Sequence, residues 1–227
     1  MPSGRKVAAR AAKHAEASAK RRRDLAEDAK SRSGKTPVDS KWLSHCIGQV
    51  LDDNCIVFDE TIALNQLHDH LAIARPGSYF HNPASSGGWA QGAAFGAKMA
   101  APDRDVIAVS GDGFYMFGTP IHALWSAAHY KAPFMAVVYQ NRSYSTGTLR
   151  VHNVYGKDSY TAKANYDGGY FDPPIDFAKE AEAAGAYGEN VRDPAQVMPA
   201  LKRGLDRIRN GQPAVISVWL PRLLQND

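Results

Sequence analysis

Four short apolar runs, at residues 55–58, 106–110, 134–139 and 214–219, do most to limit what this chain can become. Each is too short for a buried helix and is bounded by polar or glycine-rich sequence. Continuous apolar runs of this length read as strands buried on both faces. Stretches with helical spacing lie between them. The pattern predicts helices near 36–51, 62–72, 89–99, 175–184 and 194–209, and another that starts at Thr119-Pro120 and turns Ile121, Leu124, Trp125 and Ala128 inward. Strands alternating with helices imply an α/β fold: a doubly wound, mostly parallel sheet with helices on both faces.

The first 35 residues differ from the rest. They hold eleven basic and four acidic side chains, a local charge of +7 in a chain whose net charge is +4. Rich in Ala, Lys, Arg and Glu, they predict an exposed or partner-bound helix. We therefore expect a basic helical extension at 1–35 and one α/β domain at 36–227. No aromatics interleave with the bases, which points away from a nucleic-acid arm. No run approaches the ~18 apolar residues of a membrane span. No apolar core follows the basic start, so a secretory leader is not expected. Cys46 and Cys55 form no CxxC and fall in apolar segments. They read as reduced core thiols, which fits a cytoplasmic protein. His68 and His70 flank Asp69, but a spacing of two makes them diverge on a helix, so no metal is assigned there.

In an open parallel sheet, ligands bind beyond the carboxyl ends of the strands. Two strand ends carry unusual chemistry: Ser110-Gly111-Asp112-Gly113 and Gln140-Asn141-Arg142-Ser143. Glycines let a ligand approach the backbone closely. Their amides can face an anion. Asp112 and Asn141 offer hard oxygen ligands, and a carbonyl just beyond Asn141 would add a third. Together with phosphate oxygens these suit Mg2+ or Ca2+. No GxGxxG follows the first strand, which counts against a dinucleotide site.

The two segments resemble the cofactor signature of thiamine-diphosphate enzymes, in which GDG is followed at a distance by Asn-Asn. Here residues 114–140 intervene and Gln140-Asn141 takes the place of Asn-Asn. The interval is slightly wider than usual, which predicts an insertion within 114–122. Pro76-Gly77-Ser78-Tyr79, Ala123-Leu124-Trp125-Ser126-Ala127-Ala128, Ile175-Asp176-Phe177-Ala178 and Gly185-Ala186-Tyr187-Gly188 extend the likeness over roughly 37–220. They resemble the C-terminal cofactor-binding domain of the benzoylformate decarboxylase and acetolactate synthase group.

The resemblance implies thiamine diphosphate with Mg2+ as cofactors. It makes Asp112, Asn141 and the carbonyl of Ser143 the metal ligands, and it places Ser85, Gly87, Gly111, Gly113, Phe114 and Tyr144 beside the cofactor. His81 falls where related decarboxylases have a pocket-lining side chain, and it is the candidate catalytic group. Two positions depart from the family pattern. Phe114 stands where a serine is usual, with Thr119 or a nearby amide as replacement donor. Gly87 stands where relatives place a bulky apolar residue, so that a partner residue or a shifted loop would have to substitute. Glu60-Thr61 ends the first strand near the diphosphate, although Glu60 is not expected to touch a phosphate.

The family's activating glutamate resides in a separate pyrimidine-binding domain. The resemblance therefore implies a split enzyme, with that domain on another chain and α2β2 as the expected assembly. Residues 144–172 and the basic start are candidate contact surfaces. The implied activity is cleavage or formation of a C–C bond next to a carbonyl, by a lyase or decarboxylase acting on a 2-oxo acid or 2-hydroxy ketone or acyl substrate. The alternatives are an acetolactate-synthase-like carboligase subunit and a non-catalytic scaffold of the same fold.

Overall fold

The computed structural model describes residues 4–61, 67–82 and 86–224. Six parallel strands form one sheet in the order β2-β1-β3-β4-β6-β5: β1 Cys55–Glu60, β2 Tyr79–His81, β3 Asp105–Gly111, β4 Met135–Gln140, β5 Tyr187–Val191 and β6 Ala214–Trp219. The four apolar runs are its four central strands. The alternation of side chains sorts their residues onto two faces. Val57, Ile107, Val109, Val137, Ile216 and Val218 face one core. Phe58, Val106, Ala108, Val138 and Val215 face the other.

Helices cover both faces. The first core is closed by α2 (Ser40–Val50) and α10 (Val197–Arg209). The second is closed by α4 (Ala90–Ala100), α5 (Asp112–Phe117), α6 (Pro120–His129) and α9 (Phe177–Ala183). This is the doubly wound parallel α/β fold expected from the alternation. The one-turn α3 (Leu67–His70) packs on α2. The basic start forms α1 (Gly4–Lys30), which is solvent-exposed over residues 6–24. Its far end is held to the domain by ion pairs from Arg21 to Asp69 at 2.6 Å and from Lys41 to Asp28 at 2.8 Å. Among the described residues no helix is long and apolar enough to cross a membrane. Cys46 and Cys55 are free and buried, and burial pushes both thiols up to about 12.

Several boundaries differ from the sequence reading. Helix α2 starts at Ser40 because Asp39, not Thr36, caps it by accepting from the amide of Lys41. Much of the helix expected at 62–72 lies outside the described residues, which show only α3. The glycine-rich loop before α4 contains β2, an edge strand of three residues, too short to leave a periodic signal. Residues 144–172, for which the sequence reading gave no helix, form α7 (Ser145–Tyr155) and α8 (Tyr160–Lys163). On α6 the inward residues are Leu124 and Ala127, whereas Trp125 is 57% exposed.

Close packing places one strong demand on sequence at β5. A Cβ at Gly188 would lie 2.2 Å from the carbonyl oxygen of Ala178 and 2.6 Å from its Cα. Both are backbone atoms, so no rotamer change relieves the contact. Gly188→Ala is expected to cost about 2–3 kcal/mol, a fall of roughly 5–10 °C in unfolding midpoint. A midpoint within a degree of the wild type would contradict this packing.

Candidate functional site

The strand order reverses beside β1, and a cavity of about 250 Å³ opens at the carboxyl ends of β1, β3, β4 and β6. Glu60 and Thr61 line it from the end of β1. Gly111, Asp112, Gly113, Phe114 and Phe117 come from β3 and α5, and Asn141, Ser143 and Tyr144 follow β4. Ser145, Thr146 and Gly147 open α7 against the same space. The first turn of α7 holds no acidic residue. Its unpaired amides therefore favour an anion.

Asp112 begins α5 and is 1% exposed. Its Oδ1 accepts from the amide of Gly113 at 2.9 Å, and its Oδ2 accepts from the amide of Arg142 at 2.5 Å. Burial pushes its carboxyl up to about 7, against the pull of these amides and of the Arg142 guanidinium. A carboxylate so desolvated is costly unless a cation compensates it. Arg142 adopts a left-handed backbone (φ 59°), which turns the chain sharply after β4. Asn141 and Ser143 flank that turn.

Asn141 Oδ1 accepts from the amide and the hydroxyl of Ser143, each at 3.0 Å. The Ser143 hydroxyl also lies 2.7 Å from that of Ser145, so it has a second partner if Oδ1 takes up a cation. Ser143 pairs with Tyr170 in an antiparallel bridge whose bonds come from the flanking residues: Tyr144 N to Gly169 O and Phe171 N to Arg142 O. The ladder thus leaves the Ser143 carbonyl unused. Carboxylate, amide and carbonyl oxygens converge here beside a helix N-terminus. That donor set fits Mg2+ and a diphosphate.

The aromatic rim is keyed to glycine. A Cβ at Gly113 would lie 2.8 Å from Tyr144 Cδ1. The Tyr144 ring stacks on Phe117 at 5.4 Å and meets Phe171 edge-on at 4.6 Å. Any side chain at 113 would force this cluster to move.

Glu60 has a structural task. Buried completely, it accepts from Asn82 Nδ2 at 2.7 Å and from the amides of Trp89 at 2.9 Å and Ala90 at 3.2 Å. It thus caps α4 from the end of β1. Glu60→Ala leaves three donors without this acceptor, and we expect a loss of about 2–4 kcal/mol. Chemical denaturation reads this directly; an unchanged midpoint would remove the cap from the account.

The structure gathers most of the residues singled out in the sequence. Gly111, Asp112, Gly113, Phe114, Asn141, Ser143 and Tyr144 all line the cavity. His81 does not: it is exposed at the end of edge strand β2, where its Nδ1 pairs with the carbonyl of Asn82. Thr119 does not either; it is exposed in a left-handed turn between α5 and α6. Ser85 lies outside the described residues. Gly87 packs on the Phe114 ring and is not a lining residue. Gln140 points elsewhere, donating to Ile175 O and accepting from Ser217 Oγ. The sequence reading missed Phe117, Ser145, Thr146, Gly147 and Leu220. The run Ser143-Tyr144-Ser145-Thr146-Gly147 after a strand end was the available signal for the helix N-terminus.

This arrangement defines a class. It is an α/β domain whose oxygen-lined cavity and helix N-terminus, at the carboxyl edge of the sheet, suit a phosphorylated ligand with a hard divalent cation. Within that class the chain belongs to the thiamine pyrophosphate enzymes: residues 62–218 match the family's C-terminal TPP binding domain. It is 30% identical over 171 residues to a benzoylformate decarboxylase of Pseudomonas aeruginosa, covering 73% of this chain and 29% of that one. It is also 30% identical over 160 residues to a sulfoacetaldehyde acetyltransferase of Alcaligenes xylosoxydans, covering 69% of this chain and 25% of the relative. Among solved structures it is similar to the thiamine diphosphate-dependent 4-hydroxybenzoylformate decarboxylase of Rhodococcus jostii RHA1. The TM-score is 0.69 at 27% identity, over 84% of this chain and 34% of that one. The chain spans about a third or less of the length of these relatives.

Proposed function

We propose that this chain is the diphosphate- and metal-binding subunit of a heteromeric, thiamine-diphosphate- and Mg2+-dependent lyase or decarboxylase. The reading rests on one observation above all: Asp112, Asn141, Ser143 and the start of α7 meet at a single cavity. Asp112, Asn141 and the Ser143 carbonyl hold the cation. The amides opening α7 face the phosphates. Phe114, Phe117, Tyr144 and Leu220 keep water from the organic part of the ligand. When bound, thiamine diphosphate supplies the electron sink for breaking or making a C–C bond next to a carbonyl.

A second chain completes the site. Among the described residues, the carboxylates lining the cavity are Glu60, which caps α4, and Asp112, assigned to the metal. Neither is free to act as the cofactor's activating acid. Phe117, Trp125 and Tyr130 are 59%, 57% and 58% exposed just before, on and just after α6. Tyr130 also meets Phe95 of α4 at 6.1 Å, and α4 exposes Gly92, Gly96 and Met99. Phe117 belongs both to this exposed set and to the cavity wall. A pyrimidine-binding domain seated there would close the cavity and bring its glutamate, in an α2β2 assembly. The aromatic rim and the aromatic 2-oxo acid decarboxylases among the relatives favour an aromatic 2-oxo acid as substrate. Two free, buried cysteines fit a reducing cytoplasm.

The test is calorimetric titration of the protein, with whatever chain co-purifies, using thiamine diphosphate and Mg2+, followed by assay of CO2 release from benzoylformate. Metal-dependent binding with turnover is expected. A protein that binds no thiamine diphosphate in its assembled form sinks the reading.

A further inference from the structure

The two departures from the family pattern, Gly87 and Phe114, are 27 positions apart in the chain and in direct contact in the fold. A Cβ at Gly87 would lie 2.6 Å from Phe114 Cδ1, 3.0 Å from Cε1 and 3.1 Å from Cγ. The ring therefore fills the space that a side chain at 87 would need. Phe114 is also a wall of the cavity, next to Asp112 and Gly113.

The backbone carrying Gly87 has little freedom to yield. Glu60 fixes the amides of Trp89 and Ala90, and Asn82 donates to the carbonyl of Ser86 at 2.6 Å. Gly88, at φ 96°, approaches α5 so closely that a Cβ there would lie 2.5 Å from Gly118 N. The strand-to-α4 connection and the end of α5 are thus packed together just beyond Phe114. Its ring borders the cavity.

We propose that Gly87 and Phe114 form a size-complementary pair in which Phe114, seated in the space vacated at 87, is the positioning residue for the organic part of the ligand. The apolar bulk beside the metal-and-phosphate end comes from α5, so position 87 needs no side chain and tolerates none. The pair replaces the partner residue or shifted loop that the sequence alone called for. This inference rests on the proposed thiamine-diphosphate site.

The experiment is a double-mutant cycle on the full chain: Gly87→Leu, Phe114→Ala and the double variant, with two readouts. Gly87→Leu should lower the unfolding midpoint by roughly 3–10 °C, and the double variant should regain most of that loss. In calorimetry with Mg2+, Phe114→Ala should weaken thiamine diphosphate binding about tenfold and leave inorganic diphosphate within about twofold, because an apolar ring adds contact area to the organic part and none to a bare diphosphate. Gly87→Leu, by driving the ring into the cavity, should weaken both ligands. Additive midpoint losses in the double variant would overturn the pairing. Equal losses for the two ligands in Phe114→Ala would overturn the positioning role. If the wild type binds neither ligand, the proposed function falls and takes the ligand role of Phe114 with it, while the midpoints still decide the pairing.

Discussion

Asp112→Ala is expected to abolish metal-dependent binding of thiamine diphosphate, with a loss of at least ~100-fold in affinity. Replacing even an outer partner of a metal ligand typically costs about 10–100-fold, and Asp112 would be the charged ligand itself. Its carboxylate is buried, held by two backbone amides, and pushed up to about 7 by desolvation. The site therefore carries an electrostatic deficit that a divalent cation would relieve. The substitution leaves the amides of Gly113 and Arg142 without an acceptor, but it also removes a poorly solvated charge. The two effects oppose each other, so the fold should survive and circular dichroism should be unchanged. Asp112→Asn keeps one acceptor oxygen and should fall between the two in affinity. An Asp112→Ala protein that binds thiamine diphosphate and Mg2+ as the wild type does would remove this residue from the metal site.

The second large effect is on assembly. Trp125→Glu should weaken association with the proposed partner chain by about 30–1,000-fold, the range for a buried aromatic anchor at an interface. Trp125 stacks on His129 at 5.0 Å, and its ring is more than half exposed in the isolated chain. A side chain of this kind contributes little to the domain's own core, so the unfolding midpoint should move by less than ~2 °C. Sedimentation of the purified complex reads the assembly. A complex of unchanged stability would put the partner on another surface.

The sheet was legible because each central strand is a continuous apolar run flanked by polar sequence. Helix α10 was legible because Val197, Leu201, Leu205 and Ile208 keep strict helical spacing and all are buried. The inner face of α6 was misread for a physical reason. Ile121 and Trp125 repeat at the same spacing as core residues, yet they face outward. Hydrophobic periodicity does not separate a core from an unpartnered face. Helices α7 and α8 were hidden because most of their side chains are polar or exposed and few are buried. His81 shows the limit of placing a side chain by likeness of its loop: in the fold it belongs to an edge strand.

The cavity lining at the ends of β3 and β4 was readable from those two strand ends. The contact of Gly87 with Phe114 was not, since nothing in one sequence couples two residues so far apart. The role of Glu60 was hidden in the same way: its partners Asn82, Trp89 and Ala90 meet it only through the crossover from β1 to α4.

The central claim is that a divalent cation bridges the ends of β3 and β4 to a diphosphate. Crystals grown with thiamine diphosphate and Mn2+ in place of Mg2+ test it through anomalous diffraction at the manganese edge. The account predicts one strong peak within ligand distance of the Asp112 carboxylate, Asn141 Oδ1 and the Ser143 carbonyl, with phosphate density completing its shell. A peak elsewhere, or diphosphate density with no metal between it and Asp112, would contradict it.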